Sequence, residues 1–226
     1  SGPGLVGGGN PPRPGEVSLA HHGVLFLDEL PEYPRAALEC LRQPLEDGFL
    51  TIARAGSRLR FPARCCLVAA MNPCPCGFLG HPTRRCTCGS DEVHRYRAKI
   101  SGPLLDRIDL HLEVPAQRPE ALQKDDGGAS SAVFREQACA ARARMQARQG
   151  RSNALLDPRG VRSHIHAEPA ALRLLSQAMD ELGLSARAHD RILKVARTIA
   201  DLAAREAVML DDVSEAVGYR VLDRPM

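Results

Sequence analysis

Val24-Leu25-Phe26-Leu27, followed at once by Asp28-Glu29, constrains this chain more than any other stretch. Four uninterrupted apolar residues suit a strand buried on both faces of a parallel sheet, the arrangement of α/β folds whose helices cover both faces. The two acids then fall at the carboxyl end of the strand, where ligands bind in open α/β sheets. A second apolar run, Cys65 to Met71, predicts another buried strand that passes directly into Asn72-Pro73, and Ile108 to Val114 predicts a third. Between the first two, Ala37, Leu38, Leu41 and Leu45 recur at helical spacing behind Pro34; Gly48 should stop this helix and Pro44 should kink its last turn.

The remaining punctuation divides the chain. The first 23 residues, rich in Gly and Pro, predict a loop that ends in a short segment from Glu16 to Ala20. Residues 49–61 alternate, with Leu50 and Ile52 matching Leu59 and Phe61 around Ala55-Gly56-Ser57, which predicts a hairpin bearing Arg54, Arg58 and Arg60. From 116 to 131 no apolar period survives, so this stretch reads as a linker between an α/β part (1–115) and a helical part (132–226). Three or four helices are predicted there: Val133 to Gln149, Pro169 to Leu182, roughly Ala188 to Arg205, and Asp212 to Leu222. Their stripes are Ala171, Leu175, Ala178, Met179 and Leu182 in the second, and Ile192, Val195, Ala196, Ile199 and Leu202 in the third. Arg187, Arg191, Lys194 and Arg205 share a basic arc of that third helix.

Composition excludes several classes. With 44% hydrophobic and 25% charged residues in 226, the chain can bury a core and is not a disordered tail. No apolar run reaches the roughly 20 residues a membrane helix needs, and no stretch reads as a secretory leader, so a cytoplasmic location without a membrane partner is expected. A net charge of +3 does not by itself declare a polyanion partner. Only three lysines occur, Lys99, Lys124 and Lys194, and none stands in a Gly-Lys-Ser or Gly-Lys-Thr string, so the chain carries no phosphate-binding loop of the G-x-x-x-x-G-K-[ST] kind.

Several residues are suited to nucleotide chemistry. At the end of a buried strand, Asp28 is placed to hold Mg²⁺ through water and Glu29 to orient a water that attacks a γ-phosphate; the bland alternative is that both acids merely end a strand. Asn72 could sense that phosphate or simply form a turn before Pro73. Arg107, in Ser101-Gly-Pro-Leu-Leu-Asp-Arg-Ile-Asp109, could neutralise transition-state charge across a subunit boundary. The basic hairpin, without aromatics, would track phosphates with a sequence-independent attraction, and Arg54, Ser57 and Arg58 are its candidate DNA contacts; its alternative is a solvated hairpin with charged edges.

Cys74-x-Cys76 and Cys86-x-Cys88 form two thiol pairs nine residues apart. Four thiolates can close a tetrahedron around a structural Zn²⁺, with His81 and His94 as possible substitute ligands; redox-active or incidental thiols are the competing reading. Cys40, Cys65, Cys66 and Cys139 read as small buried hydrophobes.

Taken in order, four segments resemble the magnesium-chelatase-like ComM family of AAA+ ATPases: Gly15 to Glu32, Ala70-Met-Asn-Pro-Cys-Pro-Cys-Gly77, Ile100 to His111, and Ser185-Ala-Arg-Ala188 leading into Arg191 to Leu202. The resemblance implies a hexameric motor that binds ATP and Mg²⁺, encircles DNA and promotes branch migration in natural transformation and homologous recombination. It implies that Asp28 and Glu29 are the Walker B pair, Asn72 sensor 1, Arg107 the arginine finger, and Arg187 sensor 2, with Arg191 its rival one turn on. The hairpin resembles the pre-sensor-1 hairpin of MCM helicases and magnesium chelatases. The implied fold is a partial AAA+ parallel sheet with a β-hairpin insertion, residues 1–115 being the later part of the ATPase core and 132–226 an all-α lid. The family's Walker A loop lies upstream of these motifs, so the chain is expected to be a piece of a longer protein and inactive as an ATPase alone. A magnesium-chelatase motor subunit and a non-catalytic, zinc-bearing DNA-binding module are the alternatives.

Overall fold

The computed structural model describes residues 2–54, 57–116 and 128–223. They form two compact units, Ser1–Ile108 and Asp109–Met226, each with its own core.

The first unit opens with α1 (Gly2–Val6), the two-residue strands β1 (Gly7–Gly8) and β2 (Arg13–Pro14), and α2 (Glu16–Leu19). The expected opening loop is thus partly helical: Leu5 and Val17 are buried in the core, and that burial offsets weak local propensity. Strand β3 (Val24–Leu27) pairs in parallel with β6 (Cys66–Ala69), Val24 opposite Cys66 and Leu27 opposite Ala69. Only one face of the pair is covered. Leu25 and Leu27 sit in the core, whereas Val24 (63% exposed), Phe26 (59%) and Val68 (43%) face outward. The expectation of strands buried on both faces is corrected accordingly, because among the described residues helices lie on one face only.

Between β3 and β6 the predicted helix appears in two pieces, α3 (Arg35–Cys40) and α4 (Arg42–Asp47). The break falls at Leu41, one turn before Pro44, whose ring nitrogen has no proton for the Cys40 carbonyl. Gly48 ends α4 at φ 73°, a left-handed cap suited to glycine. The hairpin of β4 (Phe49–Arg54) and β5 (Ser57–Pro62) sets Leu50 against Phe61 and Ile52 against Leu59, the register the alternation predicts. Ala55 and Gly56 lie outside the described residues. Then come α5 (Ser90–Arg97) and α6 (Gly102–Leu105), the latter capped by the Ser101 hydroxyl, which accepts from the Leu104 amide.

No strand forms over 108–114: among the described residues there is a single bridge, His111 to Arg220, and Leu110, Leu112 and Val114 are exposed. Alternation specifies a strand only where neighbours supply a ladder, and none of the other described strands pairs with this stretch. Most of the predicted linker, 117–127, lies outside the described residues. The second unit contains α7 (Ser131–Gln149), α8 (Pro158–His164), α9 (Pro169–Leu182), α10 (Ala186–Leu202) and α11 (Leu210–Gly218). Its core joins Ala171 and Leu175 of α9 to Ile192, Ala196 and Ala200 of α10 and Val213 and Ala216 of α11. Helix α10 ends at Leu202, so Arg205 is not on its basic arc, and Leu202 is half-exposed and not part of the buried stripe.

Candidate functional site

The parallel pair brings Asp28, Glu29 and Asn72 to one edge. Ala70 N–H donates to the Leu27 carbonyl and Leu30 N–H to the Ala70 carbonyl, both at 2.9 Å, so the ladder spans the two acids without using them. Glu29 is forced out at φ 49°, ψ 48°, a left-handed conformation that costs a residue with a Cβ on the order of 1 kcal/mol. Burial of Leu30 and Pro31 just beyond holds it there. Its amide donates to Asp28 Oδ1 at 2.9 Å, which steadies the Asp28 carboxylate, and both acids remain exposed. Asn72, likewise exposed, leaves the neighbouring strand two residues past Ala70.

Directly after Asn72, the four cysteines of the two thiol pairs converge. Their sulfurs all lie within 4.8 Å of one another. Cys74 Sγ is 3.4 Å from Cys76 Sγ and 3.6 Å from Cys86 Sγ, and Cys76 Sγ is 3.5 Å from Cys86 Sγ. Such separations are too long for disulfides and near the ~3.8 Å edge of a tetrahedron built on ~2.3 Å Zn–S bonds. Amides of Phe78 and Thr87 pull the Cys76 thiol down to about 5. For Cys88 the Cys76 amide acts in the same direction, but burial and the neighbouring thiols outweigh it and push the group up to about 12. Cys76 readily carries charge while Cys86 and Cys88 resist it, and a dication relieves that conflict. His81 is committed elsewhere: its Nδ1 accepts from the amides of Thr83 (3.2 Å) and Arg84 (3.1 Å). The other four cysteines correct the expectation of buried hydrophobes, since Cys40, Cys66 and Cys139 are exposed and Cys65 is half-buried.

Helix α5 packs back onto this turn. Arg97 Nε donates to the Pro73 carbonyl at 3.3 Å, and Tyr96 is buried. Burial pushes the Tyr96 phenol up, as do the nearby carboxylates of Glu32 and Glu29, while the Asn72 amide draws it down. Arg107 is also buried: its guanidinium bonds the Glu46 carboxylate of α4 and the Pro103 carbonyl within the same unit. In the hairpin, Arg54 stands opposite Ser57 as the last described pair, and Arg58, exposed, stands opposite Ala53. Arg60 lies over the Phe49 ring, 3.3 Å from its centre.

In the second unit, Arg187 is exposed in the first turn of α10, whose amide end is capped by the Ser185 hydroxyl. Arg191 pairs with Asp109 at 2.5 Å. Behind them lies a buried network that none of the sequence expectations includes. Arg148 grips both oxygens of Asp201 at 2.7 and 2.8 Å, Asn153 Nδ2 donates to Asp201 at 2.9 Å, and Arg197 pairs with the same carboxylate at 3.1 Å. Arg197 also bonds the carbonyls of Arg205 and Glu206, and Arg205 pairs with Asp212. The signal that could have found it is Arg197 and Asp201 at helical spacing inside an apolar stripe, a pattern that asks for a buried pair.

Compared with known proteins, residues 1–122 match the model of magnesium chelatase, subunit ChlI, and residues 128–220 match its ChlI C-terminal model. The chain belongs to the magnesium chelatase ChlI family. Members of this family are AAA+ ATPases. Within it, the chain is 45% identical over 98% of its length to the competence protein ComM of Haemophilus influenzae. It is 46% identical over 97% to YifB of Escherichia coli, and 42% identical over 96% to Rv2897c of Mycobacterium tuberculosis. It spans 43% of the length of each of these relatives. The mixed α/β unit with its small parallel pair and the helical unit fit the two parts of the ChlI family model. No helix among the described residues is long and apolar enough to cross a membrane.

Proposed function

We propose that this chain is the later part of the AAA+ core, residues 1–115, and the helical lid, 132–226, of an ATP-driven DNA motor that works as a hexameric ring in branch migration. The observation that carries this reading is the shared carboxyl edge of β3 and β6, with Asp28 and Glu29 on one strand and Asn72 on the next. Mg²⁺, when bound, neutralises charge on the phosphates. Asp28 holds that ion through water, Glu29 orients the attacking water, and Asn72 fixes the γ-phosphate. Arg107 exchanges its bond to Glu46 for the neighbouring subunit's phosphate. Arg187, at the start of α10, serves as sensor 2, since Arg191 is already paired with Asp109. The four thiols hold a structural Zn²⁺, supported by sulfur separations close to those of a tetrahedral site.

DNA enters the reading through ComM, described as a competence protein, which is similar to 98% of the chain. The description of the family models supports a second reading, a magnesium-chelatase motor subunit. The decisive experiment is ATP turnover of the full-length protein with and without DNA. Glu29→Gln should lower kcat about 10²-fold or more while leaving nucleotide affinity nearly unchanged. Undiminished turnover in that variant would sink the assignment, and turnover indifferent to DNA but stimulated by a porphyrin-binding partner would favour the second reading.

A further inference from the structure

We propose that the four-cysteine cluster, closed around a metal ion, is a bracket that fixes Asn72 at the carboxyl edge, with Arg97 of α5 as its positioning residue. This rests on the reading of Asn72 as the γ-phosphate sensor and adds to it the device that holds the sensor still.

The need for such a device follows from where the ladder stops. Among the described residues, the last backbone bonds between β6 and its neighbour are made at Ala70, and Pro73 has no N–H to donate. What fixes Asn72 must therefore come from the residues after it. Two residues on, Cys74 is fully buried; its carbonyl accepts from the Gly77 amide at 3.0 Å and its sulfur from the Leu79 amide at 3.3 Å. The turn thus wraps Cys74 and lies against Asn72: a Cβ on Gly77 would sit 3.9 Å from Asn72 Cγ and Oδ1. At the other end of the cluster, Cys88 leads through Gly89 directly into α5. That helix returns to the starting point, where Arg97 Nε holds the Pro73 carbonyl and the preceding Tyr96 is buried.

The path from Asn72 to Cys74, across the cluster to Cys88, and along α5 back to Asn72 and Pro73 is a closed circuit. A metal bound to all four sulfurs would shut the one part of that circuit made of loop. Without it, residues 75–87 contain no helix or strand, and Asn72 is left to the end of a two-stranded ladder. Displacement of a sensor by even ~1 Å costs turnover steeply, whereas ground-state binding of nucleotide depends on many other contacts.

The test uses the full-length protein purified without chelator, with three readouts: bound zinc, amide hydrogen exchange over residues 71–79, and steady-state ATP turnover. The wild type should carry about one zinc per chain. Cys88→Ser should lose it, exchange faster over 71–79, and lose about 10–100-fold in kcat with KM for ATP within about twofold. Arg97→Met, which removes the donor to the Pro73 carbonyl and keeps the aliphatic stem, should retain zinc, speed exchange over 71–79 and lower kcat about tenfold. A wild type without zinc, or a zinc-free Cys88→Ser with unchanged exchange over 71–79, overturns the bracket. So does an Arg97→Met variant with wild-type exchange over 71–79. If the wild type fails to hydrolyse ATP, the ATPase reading falls, while the zinc and exchange measurements still decide the bracket by themselves.

Discussion

Asp201 shows how a single residue organises the helical unit. Burial alone would raise its carboxyl, but the hydrogen bonds of Arg148 and Asn153 and the charge of Arg197 outweigh burial and hold it below the usual carboxylate range. A carboxyl depressed in the folded state contributes stability that is fully present above its unfolded value, near 3.9, and is lost as pH falls through the lower folded value. Asp201→Asn leaves two arginines without their shared partner, and breaking a buried pair from one side costs about 3–5 kcal/mol. Denaturant unfolding of the chain, followed by circular dichroism, should register that loss at pH 7. It should also show a shallower fall in stability below about pH 4 in the variant than in the wild type. An Asp201→Asn chain as stable as the wild type at pH 7 would show that the network contributes nothing net. Glu29 carries the opposite kind of information: its left-handed backbone is strain stored at the residue proposed to orient the attacking water.

At the scale of elements, the hairpin was legible and the third strand was not. Leu50, Ile52, Leu59 and Phe61 alternate in sequence and pair across β4 and β5 because the pattern and the partner lie within one short stretch. Ile108 to Val114 alternates too, but a strand there needed a distant partner, and the only described pairing is the bridge from His111 to Arg220. Helix α5 and its grip on Pro73 are not legible, because nothing in Ser90 to Arg97 announces what it will touch. On the reading that the hairpin tracks DNA phosphates, Arg54→Ala with Arg58→Ala in the full-length protein should weaken DNA binding without sequence preference. The slope of log K against log salt should become shallower by about 0.7–0.9 for each phosphate no longer neutralised. Unchanged affinity and slope would return the hairpin to a solvated edge.

For the whole molecule, two cores and one shared edge set what can be expected of the chain by itself. The sequence contains no G-x-x-x-x-G-K-[ST] loop, and the polyphosphate is held in P-loop ATPases chiefly by that loop. The 226-residue chain alone should therefore show no Mg²⁺-dependent ATP turnover above a Glu29→Gln control in a phosphate-release assay, at any practical protein concentration. Measurable turnover abolished by Glu29→Gln would overturn this. The exposed outer face of β3 and β6, with Val24, Phe26 and Val68, belongs to this scale as well, since an apolar run reads as buried from sequence whether or not a second layer covers it.

By itself the sequence determined the elements whose signals are local: the apolar run ending in Asp28 and Glu29, the hairpin register, and the thiol spacing. Each of these depends on residues within a turn or two of one another, so pattern and chemistry suffice. Only the tertiary structure decided that Asp28, Glu29 and Asn72 share an edge, that four sulfurs meet, that Arg107 turns inward to Glu46, and that Asp201 is the hub of two arginines and an asparagine. Those facts join residues far apart along the chain, or depend on how loops close, and no period or spacing encodes them; they follow from which faces the packed cores leave for polar groups to find one another.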